Sequence, residues 1–426
     1  MGTRAVIAGG SMAGLLAAKV LSRWYDEVVV LDRDELPLEA VHRKGVPQSR
    51  HAHGLLARGH QTIERLVPGF RDEMVRRGAV TNDLHNDVLW YNEGRLLKRA
   101  PSNLTGLLAG RPLIESVLRA KVTEVPNIVT RPGTTVDGLT AESGRLTGVR
   151  INGERLDADL VVDATGRSNR GPTWLRELGY DAAPEDEVRA GIIYTTREYR
   201  RVPGDVDFTG VISGHYPENP IGCGVGANDG DRWLVTLVGM EDNPPPAKPG
   251  AFEDFAAQLD GPELHRLITR AEPLTAPVRY RIGPSVRRRY EKASRLPEGF
   301  VAAGDSLVCF NPAYGQGMTI AALAAEHLAE VLENGDDQLT RRYFTGMAKI
   351  VDTAWVMSVS NDLRFDTTTG KQPLASRLLV RYLSRLNKAA TTDARVGRQF
   401  LEVANLLAGP PSLLKPTTLL RVLRSS

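Results

Sequence analysis

The segment RAVIAGGSMAGLLAA, residues 4–18, most constrains what this chain can fold into. An apolar run leads through a glycine-rich turn into a stretch with helical spacing, and a second apolar run, EVVVLD, ends at Asp32. Gly9 and Gly14 hold the first and third positions of the G-x-G-x-x-G fingerprint, and the small Ser11 stands at the middle one. Asp32 follows at close to the ~20-residue offset at which a carboxylate binds an adenosine ribose. The segment therefore predicts a β-α-β unit that binds a dinucleotide, with its pyrophosphate on the turn and helix amides.

The overall composition limits the class of protein. The 426 residues are 42% apolar, enough for two interleaved domains, because single hydrophobic cores stop growing near ~250–300 residues. The 54 basic and 51 acidic residues are too balanced for a dedicated nucleic-acid-binding protein. Cys223 and Cys309 are too few for a disulfide framework or a thiolate metal cage, which favours a reducing, cytoplasmic location. No run reaches the ~18 apolar residues that predict a membrane span.

The apolar pattern further along the chain predicts an α/β protein with an inserted sheet. From about Arg189 to Val238 the pattern changes to the alternation of strands, as in FTGVISGHY and RWLVTLVG. After Gln338 the remainder is typical of consecutive amphipathic helices. The other predicted elements are strands at 127–130, 144–151, 159–166 and 299–305, and helices at 107–122 and 317–332.

Two later segments carry motifs that complete the pattern of GGSMAGLLAA and LDRD. These are DLVVDATGRSNRG (159–171) and GFVAAGDSLVCFNPAYGQGMTIAALAAEHL (299–328). With them, the sequence resembles the single-component FAD monooxygenases of the para-hydroxybenzoate hydroxylase type. The resemblance implies a Rossmann-like FAD-binding domain interleaved with a mainly β-sheet substrate domain, followed by C-terminal helices. The expected divisions are an FAD-binding domain at 1–188, with a small substrate-domain excursion at about 80–105, a substrate domain at 189–290, a return to the first domain at 291–335 and a helical region at 336–426.

The resemblance also implies which residues bind noncovalent FAD. Asp305 would accept a hydrogen bond from a ribityl hydroxyl, and the turn around Gly315 would lie along the isoalloxazine. Amides at the start of the helix from Gly317 would face the flavin N1 and stabilise the anionic reduced flavin. The expected cofactor-binding residues are Gly9, Ser11, Met12, Ala13, Gly14, Asp32, Arg33, Arg43, Lys44, Arg111, Gly304, Asp305, Pro312, Gly315, Gln316, Gly317 and Met318.

The stretch RKGVPQSRHAHGLL (43–56) narrows the resemblance. It is similar to the corresponding region of the bacterial polyether epoxidases, and NPAYGQGM is similar there too. His51 and His53 form an H-x-H pair without a further ligand nearby, so we interpret them as a loop near the flavin and expect no metal. The flavin itself would carry the chemistry, with Pro312, Tyr314 and His53 as candidates at its edge.

These observations predict an FAD-dependent monooxygenase with NADPH as transient reductant. A flavin C4a-hydroperoxide, formed with O2, would epoxidise or hydroxylate an apolar polyketide or terpenoid substrate. Such an intermediate needs a site that excludes water, and oxygen transfer to an alkene needs no side-chain nucleophile. A separate flavin reductase as the source of electrons stays open as an alternative.

Three other functions stay open. A flavin reductase of the geranylgeranyl type would share the cofactor half of the chain. An aromatic hydroxylase is less favoured, because Leu307 and Val308 stand where the G-D motif of those enzymes usually continues to a histidine. A non-catalytic flavin- or lipid-binding protein would hold FAD that cannot be reduced. Halogenation is disfavoured, because the paired-tryptophan W-x-W-x-I-P segment is absent.

Overall fold

The computed structural model describes residues 2–371 and 376–424. Within them the strands are β1 (Gly2–Ala8), β2 (Tyr25–Leu31), β3 (Val80–Asp83), β4 (Val88–Asn92), β5 (Arg95–Leu96), β6 (Thr105–Leu108), β7 (Ile128–Arg131), β8 (Gly138–Glu142), β9 (Arg145–Ile151), β10 (Glu154–Asp157), β11 (Leu160–Asp163), β12 (Glu185–Arg189), β13 (Ile192–Arg200), β14 (Gly210–Ser213), β15 (Gly222–Asn228), β16 (Arg232–Met240), β17 (Val278–Arg281), β18 (Ser285–Arg288), β19 (Phe300–Ala302), β20 (Val308–Cys309) and β21 (Thr369–Gly370). The helices are α1 (Met12–Leu21), α2 (Ala57–Leu66), α3 (Phe70–Arg76), α4 (Arg111–Thr123), α5 (Arg170–Glu177), α6 (Ala251–Ala256), α7 (Glu263–Ile268), α8 (Gln316–Glu333), α9 (Leu339–Asp362), α10 (Ser376–Ala390), α11 (Ala394–Ala404) and α12 (Pro416–Arg424).

A five-stranded parallel sheet, in the order β19-β11-β1-β2-β7, forms the first layer of the fold. Its central strands are buried on both faces, which explains their continuous apolar runs. α1 follows β1 and packs against α4 and α8. Because the strands are parallel, the residues after Ala8, Leu31 and Asp163 meet at one edge of the sheet. In parallel α/β sheets this carboxyl edge is where ligands bind.

A second, seven-stranded sheet has the order β17-β13-β16-β15-β14-β4-β5. Its neighbours are antiparallel except for the parallel pair β14 and β4. β13 and β16 pair over their full length, from Ile192 opposite Met240 to Arg200 opposite Arg232. α6 and α7 contribute apolar residues to the core of this sheet. The mixed α/β class with an inserted sheet is therefore confirmed, whereas the domain divisions predicted from the sequence stay a prediction.

The C-terminal helices pack against elements of both sheets, since α9 contacts β19 and the later helices contact the residue after β5. α9 packs along α8, and α10 to α12 enclose a small apolar core that includes Leu386, Val396 and Leu413. Leu97, which follows β5, belongs to the same core. No helix in the described residues combines the length and the apolar composition that crossing a bilayer requires.

Two element predictions were wrong in part. The helix expected over 107–122 begins at Arg111, because Leu107 and Leu108 pair with β3 as the end of β6. The region after Gln338 is also not entirely helical, since β21 pairs with Val188 and Arg189 of β12. Both exceptions are short segments that join a strand distant in sequence, so tertiary pairing overrides the local apolar spacing.

Candidate cofactor and substrate site

A cavity of about 590 Å³ opens at the carboxyl edge of the parallel sheet. Its walls come from the segments that follow β1, β2, β7, β11 and β19, and from the turn before α8. Fifteen of the residues predicted to bind the cofactor line it, namely Gly9, Ser11, Met12, Ala13, Asp32, Arg33, Arg43, Arg111, Gly304, Asp305, Pro312, Gly315, Gln316, Gly317 and Met318. Gly14 is buried beneath the first turn, and Lys44 is exposed outside the cavity.

The first glycine turn is held by contacts that leave no room for side chains. Gly9 has a φ of +118°, and a Cβ there would lie 2.2 Å from the carbonyl oxygen of Ala164. A Cβ on Gly14 would lie 1.8 Å from the carbonyl oxygen of Gly9. Ser11 is the N-cap of α1, but its side chain makes no capping hydrogen bond. The amides of the first turn of α1 are therefore left for a ligand, as an anion-binding helix start requires.

Asp32 joins the end of β2 to this turn. Its carboxylate accepts hydrogen bonds from the backbone N–H of Gly10 at 2.7 Å and of Asp34 at 2.8 Å. Arg43 Nη1 also lies 3.5 Å from the oxygen that accepts from Gly10, whereas the oxygen that accepts from Asp34 keeps a second acceptor site for a ribose hydroxyl.

A buried ionic cluster lies beneath the turn and centres on Glu115 of α4. Arg111 Nε donates to Glu115 at 2.8 Å, Arg43 Nη2 at 2.9 Å and the Ser11 hydroxyl at 2.5 Å. Burial alone would raise the pKa of Glu115, but the charges of Arg111 and Arg43, with the hydrogen bonds of Ser11 and Arg43, lower it to about 2. Arg43 and Arg111, two of the three arginines predicted at the cofactor site, are thus fixed in place by one carboxylate.

Asp163, the last residue of β11, is hydrogen-bonded to the segment that follows β19. This fully buried carboxylate accepts hydrogen bonds from the hydroxyls of Thr165 at 2.7 Å and Ser306 at 3.0 Å. Beside it, Asp305 lines the cavity and lies 3.5 Å from Arg167 Nε. The aspartate of the D-A-T-G segment therefore orders the loop that presents Asp305.

The turn between β20 and α8 forms the far wall of the cavity. Gly315 has a φ of +64° and is the N-cap of α8, which has no side-chain cap. A Cβ on Gly317 would have no neighbour within 4 Å, so this position faces open space. The first amides of α8 have no side-chain cap and are therefore available to a ligand.

A second cavity of about 400 Å³ lies between the seven-stranded sheet and the C-terminal helices. Both cavities are lined by Ala52, His53, Gly54, Tyr194, Pro312, Gly315 and Gln316, so they meet at this turn and at the 52–54 loop. Its apolar lining includes Leu56, Leu84, Val88, Leu107, Leu108, Ile212, Val225, Leu234, Val238, Met357, Leu383, Phe400 and Leu413. Among the described residues, the charged side chains on its wall are Glu93 and Arg364, which pair at 2.7 Å. We call this second cavity the apolar chamber.

Two of the three candidate flavin-edge residues have polar partners at the junction. His53 Nδ1 donates to the carbonyl of His51 at 2.8 Å, and burial lowers the pKa of His53 to about 4, so its imidazole is neutral near pH 7. The Tyr314 hydroxyl donates to Asp362 at 2.6 Å and accepts from the Asn361 side chain at 2.9 Å. Pro312 contributes the side of the turn that faces both cavities.

Sequence reasoning missed four residues of this site. Glu115 follows Arg111 at the i,i+4 spacing of a helical ion pair, a signal that was available in GRPLIESVL. Arg167 lies within the quoted GRSNRG stretch, next to a motif glycine. Tyr194 and Asp362 give no local signal, because strand and helix packing alone bring them to the junction.

The amino-acid sequence is similar to the sequences of known proteins. No family model matches it. Protein Rv3254 of Mycobacterium tuberculosis is 32% identical over 433 residues, which cover 95% of this chain and 89% of Rv3254. This chain belongs to the Rv3254 family. Protein FixC of Salmonella typhi is 28% identical over 170 residues, which cover 38% of this chain and 36% of FixC.

Several solved structures share the fold. PqsL, a probable FAD-dependent monooxygenase from Pseudomonas aeruginosa, has a TM-score of 0.65 at 16% identity and covers 85% of this chain and 98% of its own. A triple mutant of the flavin-dependent brominase Bmp2 has a TM-score of 0.68 at 15% identity, over 98% and 97%. The oxygenase MHPCO, which acts on 2-methyl-3-hydroxypyridine-5-carboxylic acid by its name, has a TM-score of 0.61 at 18% identity, over 84% and 90%. At these identities the likeness shows the shared fold.

Proposed function

We propose that this chain is an FAD-dependent monooxygenase that oxidises an apolar substrate, with NADPH as reductant. The observation that carries the proposal is the junction of two unlike cavities. One lies at the carboxyl edge of a parallel sheet beside two helix starts without a side-chain cap, and the other has a mainly apolar lining. They share the turn from Pro312 to Gln316. Such an arrangement suits a redox cofactor with a separate chamber for the molecule that it oxidises.

The residues present fit FAD. A Cβ on Gly9 would clash with the carbonyl of Ala164, whereas a Cβ on Gly317 would extend into open space. Because both residues lack a side chain, a phosphate or a planar ring can approach the backbone closely at these two turns. The α1 amides would hold the pyrophosphate, Asp32 the adenosine ribose and Asp305 the ribityl chain, as in the family that the sequence resembles. Arg170, exposed on the wall of the same cavity, offers a guanidinium to the phosphates of NADPH. Once reduced, bound FAD would supply the activated oxygen that reaches the substrate.

The contribution of the chain is to orient the substrate and exclude water. The apolar chamber has the volume and lining for a terpenoid or polyketide segment, and its walls remove water from the junction. The neutral His53 lines both cavities, and the hydrogen-bonded Tyr314 lies within the shared turn on the wall of the apolar chamber. They would hold the reacting part of the substrate beside it. Epoxidation of an alkene is the reaction that we favour, because it requires no side-chain base.

FAD titration of the apoprotein tests cofactor binding. Asp305→Ala should leave a ribityl hydroxyl unpaired and weaken FAD binding by about 1–3 kcal/mol. Asp205→Ala, in the exposed loop between β13 and β14, is the control and should bind FAD like the parent chain. A parent chain without affinity for FAD, or an Asp305 variant with full affinity, would overturn the assignment.

Oxygen consumption tests the reaction class. FAD-loaded protein should be reduced anaerobically by NADPH, and mixing with oxygen should then consume O2 in step with oxidised product. A flavin reductase of the geranylgeranyl type would instead saturate the double bond without using oxygen. Bound FAD that NADPH does not reduce, but that dithionite or a partner reductase does, would indicate a separate flavin reductase.

A further inference from the structure

Helix α12 leaves large apolar side chains on the outer surface. Thr418 and Val422, one turn apart, are buried, and Val422 belongs to the small core that α10 to α12 enclose. Leu420 and Leu423 lie on the opposite face of the helix and are 55% and 61% exposed. Leu414, two residues before the helix, is 52% exposed. A single exposed leucine is normal on a protein surface, but three in so short a segment mark an interaction surface. We call Leu414, Leu420 and Leu423 the leucine patch.

The region that carries this patch is strongly basic. Residues 376–424 contain nine basic and two acidic residues, whereas the whole chain has 54 and 51. The two acidic residues, Asp393 and Glu402, are each paired with an arginine. Lys415 and Arg424, which flank the leucine patch, are exposed and form no ion pair within the described part of the chain. The exposed face of α10, which packs against α12, adds three more cations at helical spacing, namely Arg381, Arg385 and Lys388.

Exposed leucines beside exposed cations limit the kind of partner. In an anionic bilayer the leucines enter the acyl layer while lysine and arginine reach the headgroup phosphates, and no shaped partner surface is needed. A nucleic acid would use the cations but would leave the leucines in water. A second copy bound through the same face would bring Lys415 and Arg424 against their own counterparts, and such like-charge contacts disfavour binding. A lipid surface is therefore the partner that accepts both features.

The same layer of helices also forms a wall of the apolar chamber. Leu383 of α10, Val403 of α11 and Leu413 line the chamber. Leu413 and Leu414 are adjacent in sequence, yet the first lies in the chamber wall and the second on the outer surface. One side of this layer therefore faces the chamber, and the other side carries the leucine patch.

We propose that α12 docks this protein on an anionic lipid surface, with the leucine patch among the acyl chains and with Lys415 and Arg424 against the headgroup phosphates. The reason for docking rests on the proposed function, in which the substrate is apolar and partitions into a bilayer. Docking through this face would place the chamber wall next to the supply of substrate. The contact itself depends only on the surface of α12 and its neighbours.

Cosedimentation of the full chain with lipid vesicles tests the docking. Vesicles of one part phosphatidylserine to two parts phosphatidylcholine should bind the protein at least about tenfold more tightly than vesicles of phosphatidylcholine alone. Raising the NaCl concentration from about 0.1 M to about 0.5 M should weaken this binding, because exposed charges are screened. The double variant Leu420→Ser, Leu423→Ser should bind at least about tenfold more weakly than the parent, because two leucine side chains lose their burial in lipid.

Val202→Ser is the matched control, because Val202 is also 61% exposed but lies in the loop after β13. This variant should bind vesicles like the parent, and all variants should keep the melting temperature of the parent, since only exposed side chains change. The double variant Lys415→Gln, Arg424→Gln leaves the leucines in place and tests the charges separately. It should weaken binding to the anionic vesicles by about three- to tenfold.

Three results would overturn the inference: no binding of the parent to anionic vesicles, equal binding to both kinds of vesicle, or unchanged binding in both double variants. A dimer that the leucine variant abolishes, seen by sedimentation of a parent that binds no vesicles, would assign the patch to a second copy instead. These measurements use no reductant and no oxygen, so a failure to consume O2 would count against the proposed function alone.

Discussion

The Tyr314 hydroxyl donates a 2.6 Å hydrogen bond to the Asp362 carboxylate, and Asn311 donates a second one at 2.9 Å to the same oxygen. The other oxygen of Asp362 is buried and has no hydrogen-bond partner among the described residues. Burial raises the pKa of Asp362 from 3.8 to about 6, although these two hydrogen bonds lower it. The turn shared by both cavities is therefore tied to α9 through a carboxylate that titrates just below neutral pH.

This titration should be visible in the pH dependence of stability. Because the pKa of Asp362 is higher in the folded chain, its stabilising contribution is full below pH 3.8 and is lost as pH rises through about 6. Asp362→Asn keeps an oxygen acceptor for Tyr314 and Asn311 but cannot ionise. Between pH 4 and 8, the free energy of unfolding of the variant, relative to the parent, should rise by about 1–3 kcal/mol.

Urea denaturation at the two pH values measures this difference. Asp205→Asn, at an exposed loop position, serves as the control and should show no such change with pH. If the Asp362 variant and the parent differ by the same amount at pH 4 and pH 8, Asp362 does not titrate in this range.

The Glu115 cluster should matter for stability as well as for the cofactor. Glu115→Gln removes the charge shared by Arg43, Arg111 and Arg119. Arg43 keeps Asp32 and Asp34 within 4 Å, but the buried guanidinium groups of Arg111 and Arg119 lose the carboxylate with which they pair. We expect a loss of about 3–5 kcal/mol in the free energy of unfolding at pH 7. Because the pKa of Glu115 is lowered from 4.5 to about 2, the loss should shrink as the pH falls through this range.

An exposed ion pair provides the comparison for Glu115. Glu73 and Arg76 pair at 2.6 Å on the surface of α3, and Glu73→Gln should cost less than about 1 kcal/mol. Urea unfolding of both variants at pH 7 decides the question. Equal losses in the two variants would mean that the buried cluster is no more important than a surface pair.

The sequence predicted the parallel sheet well because its signals are local. RAVIA, EVVVLD and DLVVDATG are continuous apolar runs closed by glycine or aspartate, and the structure has β1, β2 and β11 there. The glycine positions were likewise readable, since Gly9 and Gly14 have no space for a Cβ. Arg43 lines the first cavity as expected, but contact with FAD stays a prediction for every residue of that set.

The apolar chamber was much harder to foresee. Its walls combine the strands β14 and β15 with the helices α9, α10 and α11. More than a hundred residues of sequence separate these strands from these helices. Asp362 shows the same limit, because a carboxylate at the end of an amphipathic helix gives no indication that Tyr314 lies beside it.

The substitution Gly317→Ala distinguishes two roles of the turn before α8. The turn either only begins the helix or also sets the reduction potential of the flavin. A Cβ there meets no protein atom within 4 Å, so Gly317→Ala should fold with at least the stability of the parent. If the flavin lies against the start of α8, the added methyl group should displace it from the helix amides. Loss of one hydrogen bond to the anionic reduced flavin, worth ~1.5–3 kcal/mol, corresponds to a two-electron potential lower by roughly 30–65 mV.

Gly14→Ala is the contrasting variant, because its Cβ would lie 1.8 Å from the carbonyl oxygen of Gly9 and should destabilise the fold directly. Thermal unfolding of the two apoproteins, FAD titration and dye-equilibrated potentials of the Gly317 variant test the contrast. A stable Gly317→Ala protein with a lowered potential would place the flavin on the α8 amides. A stable variant with normal FAD content and an unchanged potential would make the turn purely structural, and the proposed contact between α8 and the flavin would have to be abandoned.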